Sequence, residues 1–177
     1  MIERAINFAA LAHHGQMRKG TNIPYITHPF AVGMLLQKAG CSDEVIVAGI
    51  LHDTLEDTPT TYNQLVSHFG EKVAKLVKAA SEPQKHLLWK ERKQATIAQL
   101  KDLSLEEIQV ITADKLHNLK SIRADYEVYG EKVWERFNRG REDQYWYYSS
   151  IVKELKPRQQ EFPLIQALEK EDMLVSG

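Results

Sequence analysis

Apolar residues recur every three to four positions along most of this chain and almost nowhere at alternate positions, so the pattern reads as helix after helix. Ile2, Ala5, Ile6, Ala9 and Ala10 share one face of a first helix ending near Ala12. A polar loop containing Arg18, Lys19, Gly20, Asn22 and Pro24 fills Gly15 to Thr27. Thr27 reads as the cap of a second helix, with Pro29 near its first position and Gly40 closing it after Ala39. Ser42 or Asp43 opens a third helix, expected to run through Val45, Ile46, Ala48, Ile50 and Leu51 to about Leu55, where Thr58-Pro59-Thr60 stops it.

Thr61 with Gln64 forms a capping box for a short helix ending at Phe69-Gly70, and Val73, Leu76 and Val77 mark the next. After a polar loop from Ser81 to about His86, a helix is expected over roughly Leu88 to Lys101. Ser104 with Glu107 forms a second capping box, opening a helix that carries Ile108, Ile111, Leu116, Leu119 and Ile122 to about Ala124. A long helix from Lys132 to Leu155, stopped near Pro157, and a weaker one after Phe162 complete the reading. The expected class is all-α, a single compact helical domain of about eight to nine helices.

Composition narrows the function. At 177 residues the chain is the size of one domain, and 43% apolar with 27% charged residues is ordinary for a globular protein with a real core. No apolar run approaches the roughly 18 residues of a membrane span, and no signal-peptide pattern precedes Ala12. A net charge of −1 argues against a broad nucleic-acid surface. One cysteine, Cys41, cannot form an internal disulfide and fits a reducing, cytoplasmic setting.

The sharpest chemistry lies in Ile50-Leu51-His52-Asp53-Thr54-Leu55-Glu56-Asp57, where ionisable groups follow an apolar run. Burying carboxylates without partners costs several kcal/mol each, so about that much must be offset. No Lys or Arg lies between Lys38 and Lys72 to do so. A metal ion answers the deficit, since carboxylate oxygens and neutral imidazole are both ordinary ligands. Adjacent His52 and Asp53 point about 100° apart on a helix, so further ligands must come from other helices. His28, at a helix start, and Asp114, in an otherwise apolar helix, are the candidates. Each residue alone has a plain structural reading; together they interrupt apolar patterns in three different helices.

These residues stand in longer blocks: His14-Gly15-Gln16-Met17-Arg18-Lys19, Pro24-Tyr25-Ile26-Thr27-His28-Pro29, Leu51 to Thr58, Phe69-Gly70, Trp89 to Lys93, and Ala113-Asp114-Lys115-Leu116-His117-Asn118-Leu119. The arrangement resembles the H…HD…D signature of the HD phosphohydrolases. It is closer still to the hydrolase domain of RelA/SpoT proteins and the stand-alone small alarmone hydrolases. The resemblance implies a Mn²⁺-dependent pyrophosphohydrolase that removes the 3′-pyrophosphate from guanosine tetra- and pentaphosphate. It implies His28, His52, Asp53 and Asp114 as ligands of one ion, and Glu56 and Asp57 as the pair that positions or activates water. It also implies that Arg18 packs on the base, Lys19 lies near the phosphates and Asn118 near the ribose. Glu56 and Asp57 follow His52 and Asp53 by four residues, the spacing of one helical turn; their plainer reading is a solvated helix end.

Lys90, Arg92 and Lys93 form a basic cluster that either reaches phosphates or is a solvated helix face. Tyr145 to Tyr148 reads mainly as packing, with Tyr145 and Tyr148 as stacking candidates. His13, His14, His68, His86 and His117 read as structural or surface residues. No synthetase-like stretch follows in these residues, so a hydrolase without an opposing activity is expected. Two other functions stay open: a phosphohydrolase of another nucleotide, such as an adenosine alarmone or the 2′-phosphate of NADPH, and a non-catalytic alarmone-binding module.

Overall fold

The structure, a computed structural model, describes residues 1–82 and 85–177. Residues 83 and 84, in the loop expected from Ser81 to His86, lie outside the described residues. The described residues form α-helices and 3-10 turns, with one isolated antiparallel bridge between Met17 and Pro24 and no strand. The all-α class is therefore observed. By contacts the chain divides into two units, one of Met1–Gln84 with Ser104–Asp114 and one of Lys85–Leu103 with Lys115–Gly177.

The first unit is organised around α3 (Asp43–Leu51), in which every residue from Val45 to Leu51 is buried. A helix apolar on all sides must be covered on all sides. Here α1 (Ile2–Ala12), α2 (Thr27–Lys38) and α6 (Glu71–Ala80) pack against it. Ser42 caps α3 by accepting from Val45 N–H. The predicted Thr27 cap is corrected. Thr27 is already helical, Ile26 holds the cap position, and the Thr27 hydroxyl donates to Pro24 carbonyl at 2.9 Å.

The third helix also ends earlier than expected. It stops at Leu51, the chain turns at His52-Asp53, and a separate four-residue helix, α4 (Thr54–Asp57), follows. Thr54 caps the break by donating its hydroxyl to Leu51 carbonyl at 2.7 Å. The Thr61–Gln64 capping box is formed and opens α5 (Tyr62–Phe69). Gly70, at φ +90°, then supplies the sharp turn into α6 that a residue with a Cβ adopts only under strain.

The second unit contains α7 (Trp89–Gln99), a 3-10 turn at Leu100–Asp102, and the greater part of α8 (Leu105–Tyr129). The Ser104–Glu107 capping pair is present ahead of α8, at 2.7 and 3.3 Å. This helix passes the expected end at Ala124, and Arg123 pairs with Glu127 at 3.2 Å one turn on. The single helix expected from Lys132 to Leu155 is two elements, a 3-10 segment at Gly130–Arg136 and α9 (Arg141–Leu155). Phe137 is extended and Gly140 takes the N-cap position, which splits them. A 3-10 turn at Lys156–Arg158 and α10 (Pro163–Ser176) complete this unit, with α10 packed on α9.

Close approach of α2 and α3 depends on glycine. A Cβ at Gly33 would meet Ile50 Cγ1 at 2.6 Å and its Cδ1 at 3.1 Å. Ile50 is fully packed and stiff at χ1, so it cannot swing away. Gly33→Ala gains about 1 kcal/mol of helix propensity against an overpacking penalty of roughly 1–3 kcal/mol. The expected result is a net loss of stability, read as a lower denaturant midpoint at unchanged m-value.

Candidate metal centre

Three elements of the first unit deliver four ionisable side chains to one point. His28 is the second residue of α2, His52 and Asp53 occupy the turn after α3, and Asp114 lies within α8. His28 and His52 are each 1% exposed, and the Asp114 and Asp53 side chains 10% and 18%. The two imidazole Nε2 atoms stand 3.2 Å apart. Asp114 Oδ1 lies 3.1 Å from His28 Nε2 and 3.4 Å from His52 Nε2. Asp53 Oδ2 lies 3.0 Å from His52 Nε2 and 3.6 Å from His28 Nε2.

The donor set fits a cation. His52 Nδ1 is 2.7 Å from Gly49 carbonyl, which can only accept, so Nδ1 carries the proton and Nε2 presents a lone pair in the neutral ring. A carbonyl behind a ligating histidine is the usual arrangement for fixing tautomer and orientation. Ligands about 2.1 Å from one ion stand about 3.0–3.4 Å apart at octahedral or tetrahedral angles. Four of the five separations, 3.0–3.4 Å, fall in that range, and the His28–Asp53 separation of 3.6 Å lies just beyond it. His28, His52 and Asp114 also satisfy mutual proximity for one ion, each offering an atom within 4.8 Å of the others.

Without an ion, protons balance the charge. Burial pushes the His28 imidazole down, partly offset by Asp114. Burial also disfavours charge on His52, yet Asp53 and then Asp114 outweigh it and raise His52 well above the ordinary histidine value. Asp53 is correspondingly held below the usual carboxylate range: burial opposes its charge, but the adjacent His52 prevails.

Glu56, Asp57, Arg18 and Lys19 are the other predicted residues of this unit. Glu56 is half-buried and accepts a hydrogen bond from Glu82 N–H. Burial raises its pKa, and that backbone donor partly offsets the effect. Asp57 is exposed; its N–H bonds Asp53 carbonyl at 2.9 Å, which keeps the expected one-turn relation. Glu56 and His52 instead straddle the helix break, so a continuous helix does not relate them. Arg18 is half-buried with its guanidinium 5.9 Å from the Tyr25 ring centre, and Lys19 is exposed.

In the second unit, Asn118 is half-buried on α8, Lys90 is exposed on α7, and Arg92 is half-buried there. Lys90 lies 5.4 Å from the Trp146 ring centre and Lys93 lies 4.6 Å from that of Tyr147. Tyr145 accepts from Arg141 Nε and meets Trp134 edge-on at 5.3 Å, while Tyr148 is buried beside Tyr147 at 5.4 Å. Both tyrosines thus serve packing.

Three residues near the centre carried no recognisable role in the sequence. Tyr25 donates its hydroxyl to Asp53 Oδ2 at 2.5 Å, and burial with the Asp53 charge pushes its own pKa far up. Gln16 Nε2 donates to Asp57 carbonyl at 2.7 Å, which leaves Oε1 to accept from His13 Nδ1 at 2.8 Å. His13, read as structural or surface, is 2% exposed. Partners 28 and 41 residues apart leave no local signature.

Comparison with known proteins places this geometry. A family model described as an HD domain matches residues 5–144. The guanosine-3′,5′-bis(diphosphate) 3′-pyrophosphohydrolase of Aquifex aeolicus is 39% identical over 124 residues, covering 68% of this chain but 18% of that protein. The chain thus spans under a fifth of that longer relative. The Danio rerio protein named guanosine-3′,5′-bis(diphosphate) 3′-pyrophosphohydrolase MESH1 is 39% identical over 125 residues, 69% of each chain. Among solved structures, a metazoan SpoT orthologue described as hydrolysing ppGpp is similar with TM-score 0.80 at 25% identity, covering 96% of this chain and 92% of its own. The lmo0812 protein of Listeria monocytogenes EGD-e matches with TM-score 0.78 at 38% identity over 84% of this chain and 97% of its own.

The ion pair makes metal-free stability depend on pH. His52, raised on folding, stabilises fully below its unfolded value of about 6.5, and this is lost as pH rises through the folded value. Asp53, lowered on folding, stabilises fully above about 3.9, and this is lost as pH falls through its folded value. In chelator, the pair therefore contributes most between about pH 4 and pH 6.5. A divalent ion replaces the proton, so its stabilising effect on Tm should be largest on the alkaline side. Melting curves in chelator and in excess metal from acid to alkaline pH check this; no effect of metal at any pH would remove the centre as a metal site.

Proposed function

This chain belongs to the HD-domain family, and from that premise we propose that it is a metal-dependent pyrophosphohydrolase of guanosine tetra- and pentaphosphate, releasing the 3′-pyrophosphate and, from the tetraphosphate, GDP. The observation that carries the reading is the His28–His52–Asp53–Asp114 centre, buried at all but Asp53, in a chain that shares 69% of its length with a relative named for that hydrolysis. The family match also runs through residues of both compact units, which supports their working as one domain.

His28, His52, Asp53 and Asp114 hold one divalent ion, which we take to be Mn²⁺. When bound, it supplies a lowered water pKa and positive charge opposite the phosphoryl oxygens. The protein's residues do the rest. Glu56 is suited to take a proton from the attacking water, because half-burial raises its basicity while Glu82 N–H keeps the carboxylate oriented. Asp57, one turn from Asp53, acts with Glu56 in positioning that water. Arg18 packs on the base and Lys19 meets the phosphates from the same loop, with Asn118 on the ribose and Lys90 and Arg92 adding cationic contacts. With a chain net charge of −1, a free nucleotide is a better partner than nucleic acid. No helix among the described residues is long and apolar enough to cross a membrane, and a single thiol suits the cytoplasm, where we place the activity.

Product analysis with guanosine tetraphosphate tests the reading directly. GDP and pyrophosphate should appear with Mn²⁺, vanish with chelator and return when Mn²⁺ is restored. Absence of turnover with metal bound would reject the guanosine substrate and turn the assay to adenosine alarmones and NADPH. Two variants separate the roles. Asp53→Ala should abolish metal binding and turnover together. Glu56→Ala should retain metal while kcat falls roughly 10²-fold or more, as for loss of a general base; full activity would remove Glu56 from the mechanism.

A further inference from the structure

We propose that Tyr25 is a positioning residue of the metal centre, its hydroxyl holding Asp53 in the orientation that faces the ion. The inference deepens the functional reading above and rests on it for the presence of the metal. Asp53 is the most exposed of the four ligand side chains, 18% against 1%, 1% and 10%, so packing alone constrains it least. It also lies in the two-residue turn between α3 and α4, at the N-cap of α4, where its carboxylate makes no capping bond to the helix. The 2.5 Å bond from Tyr25 to Oδ2 supplies the missing restraint, on the same oxygen that faces His52 and His28.

Tyr25 is itself held in place from several directions. Its N–H bonds Gln16 carbonyl at 2.8 Å, and its carbonyl accepts from His28 N–H at 3.0 Å. The ring lies 5.1 Å from the His13 ring and 5.9 Å from the His28 ring. The Arg18 guanidinium covers it at 5.9 Å. One side chain thus touches two ligands, His28 with its ring and Asp53 with its hydroxyl. Outer partners that orient ligating carboxylates and histidines typically affect metal affinity strongly.

The test compares Tyr25→Phe, which removes only the hydroxyl, with Tyr25→Leu, which also removes the ring. Tyr62→Phe serves as control, because Tyr62 makes a similar bond to the exposed Glu71 carboxylate at 2.8 Å away from the centre. Mn²⁺ is titrated into each metal-free protein by calorimetry, and the metal-free Tm is recorded alongside. Tyr25→Phe should bind Mn²⁺ roughly 10–100-fold more weakly with an unchanged metal-free Tm, and excess Mn²⁺ should restore its turnover. Tyr25→Leu should lose the same affinity and also melt earlier. Parental Mn²⁺ affinity in Tyr25→Phe overturns the proposal. So does weakened binding confined to Tyr25→Leu, which assigns the effect to the ring. The titration needs no substrate, so it separates failure of this proposal from failure of the hydrolase reading.

Discussion

The first unit is built around a buried electrostatic problem. Two imidazoles and two carboxylates converge beyond the end of a helix buried from Val45 to Leu51, and ions moved out of water lose several kcal/mol of solvation each, to order of magnitude. Within this centre the carboxylates are matched against imidazoles, with no lysine or arginine among the four groups. Protons or a metal ion can balance them. The proton solution leaves its trace in the opposed shifts of His52 and Asp53. The close spacing of the four donor atoms, 3.0–3.6 Å between imidazole and carboxylate, fits the cation solution.

Packing serves this centre. Because α3 is covered by α1, α2 and α6, its C-terminal turn is held against the start of α2, where His28 sits. Gly33 and Gly49 let α2 and α3 approach closely enough for the two rings to meet. Adjacent side chains on a helix diverge by about 100°, yet His52 Nε2 and Asp53 Oδ2, both on residues still in helical backbone conformation at the break, meet at 3.0 Å.

The loop between α1 and α2 is tied to the centre rather than merely connecting helices. Gln16 reaches Asp57, Tyr25 reaches Asp53, and Arg18 lies over Tyr25. A disturbance in this loop would therefore act on both Asp53 and Asp57. The second unit uses a different chemistry by itself, with Lys and Arg side chains laid over Trp89, Trp146 and Tyr147. A bidentate Arg123–Glu171 pair at 2.7 and 3.2 Å accompanies them, linking α8 to α10 through a buried carboxylate.

Much of this was legible in the chain itself. Helical periodicity, the Thr61–Gln64 and Ser104–Glu107 capping boxes and the glycine at position 70 mark local choices, decided by neighbours three or four residues away. His28, His52, Asp53 and Asp114 stood out because each interrupts an apolar pattern. The helix break after Leu51, the split between Arg136 and Arg141, and the roles of Tyr25, Gln16 and His13 were not legible. They depend on partners 28 to 41 residues distant, or on how buried side chains fit once the helices meet. The sequence alone determined which residues had to be buried and which charges would need a counterion. Tertiary structure decided where those charges meet and what holds them there, because hydrogen bonds and ion pairs are settled over a few ångströms of space and not over positions in the chain.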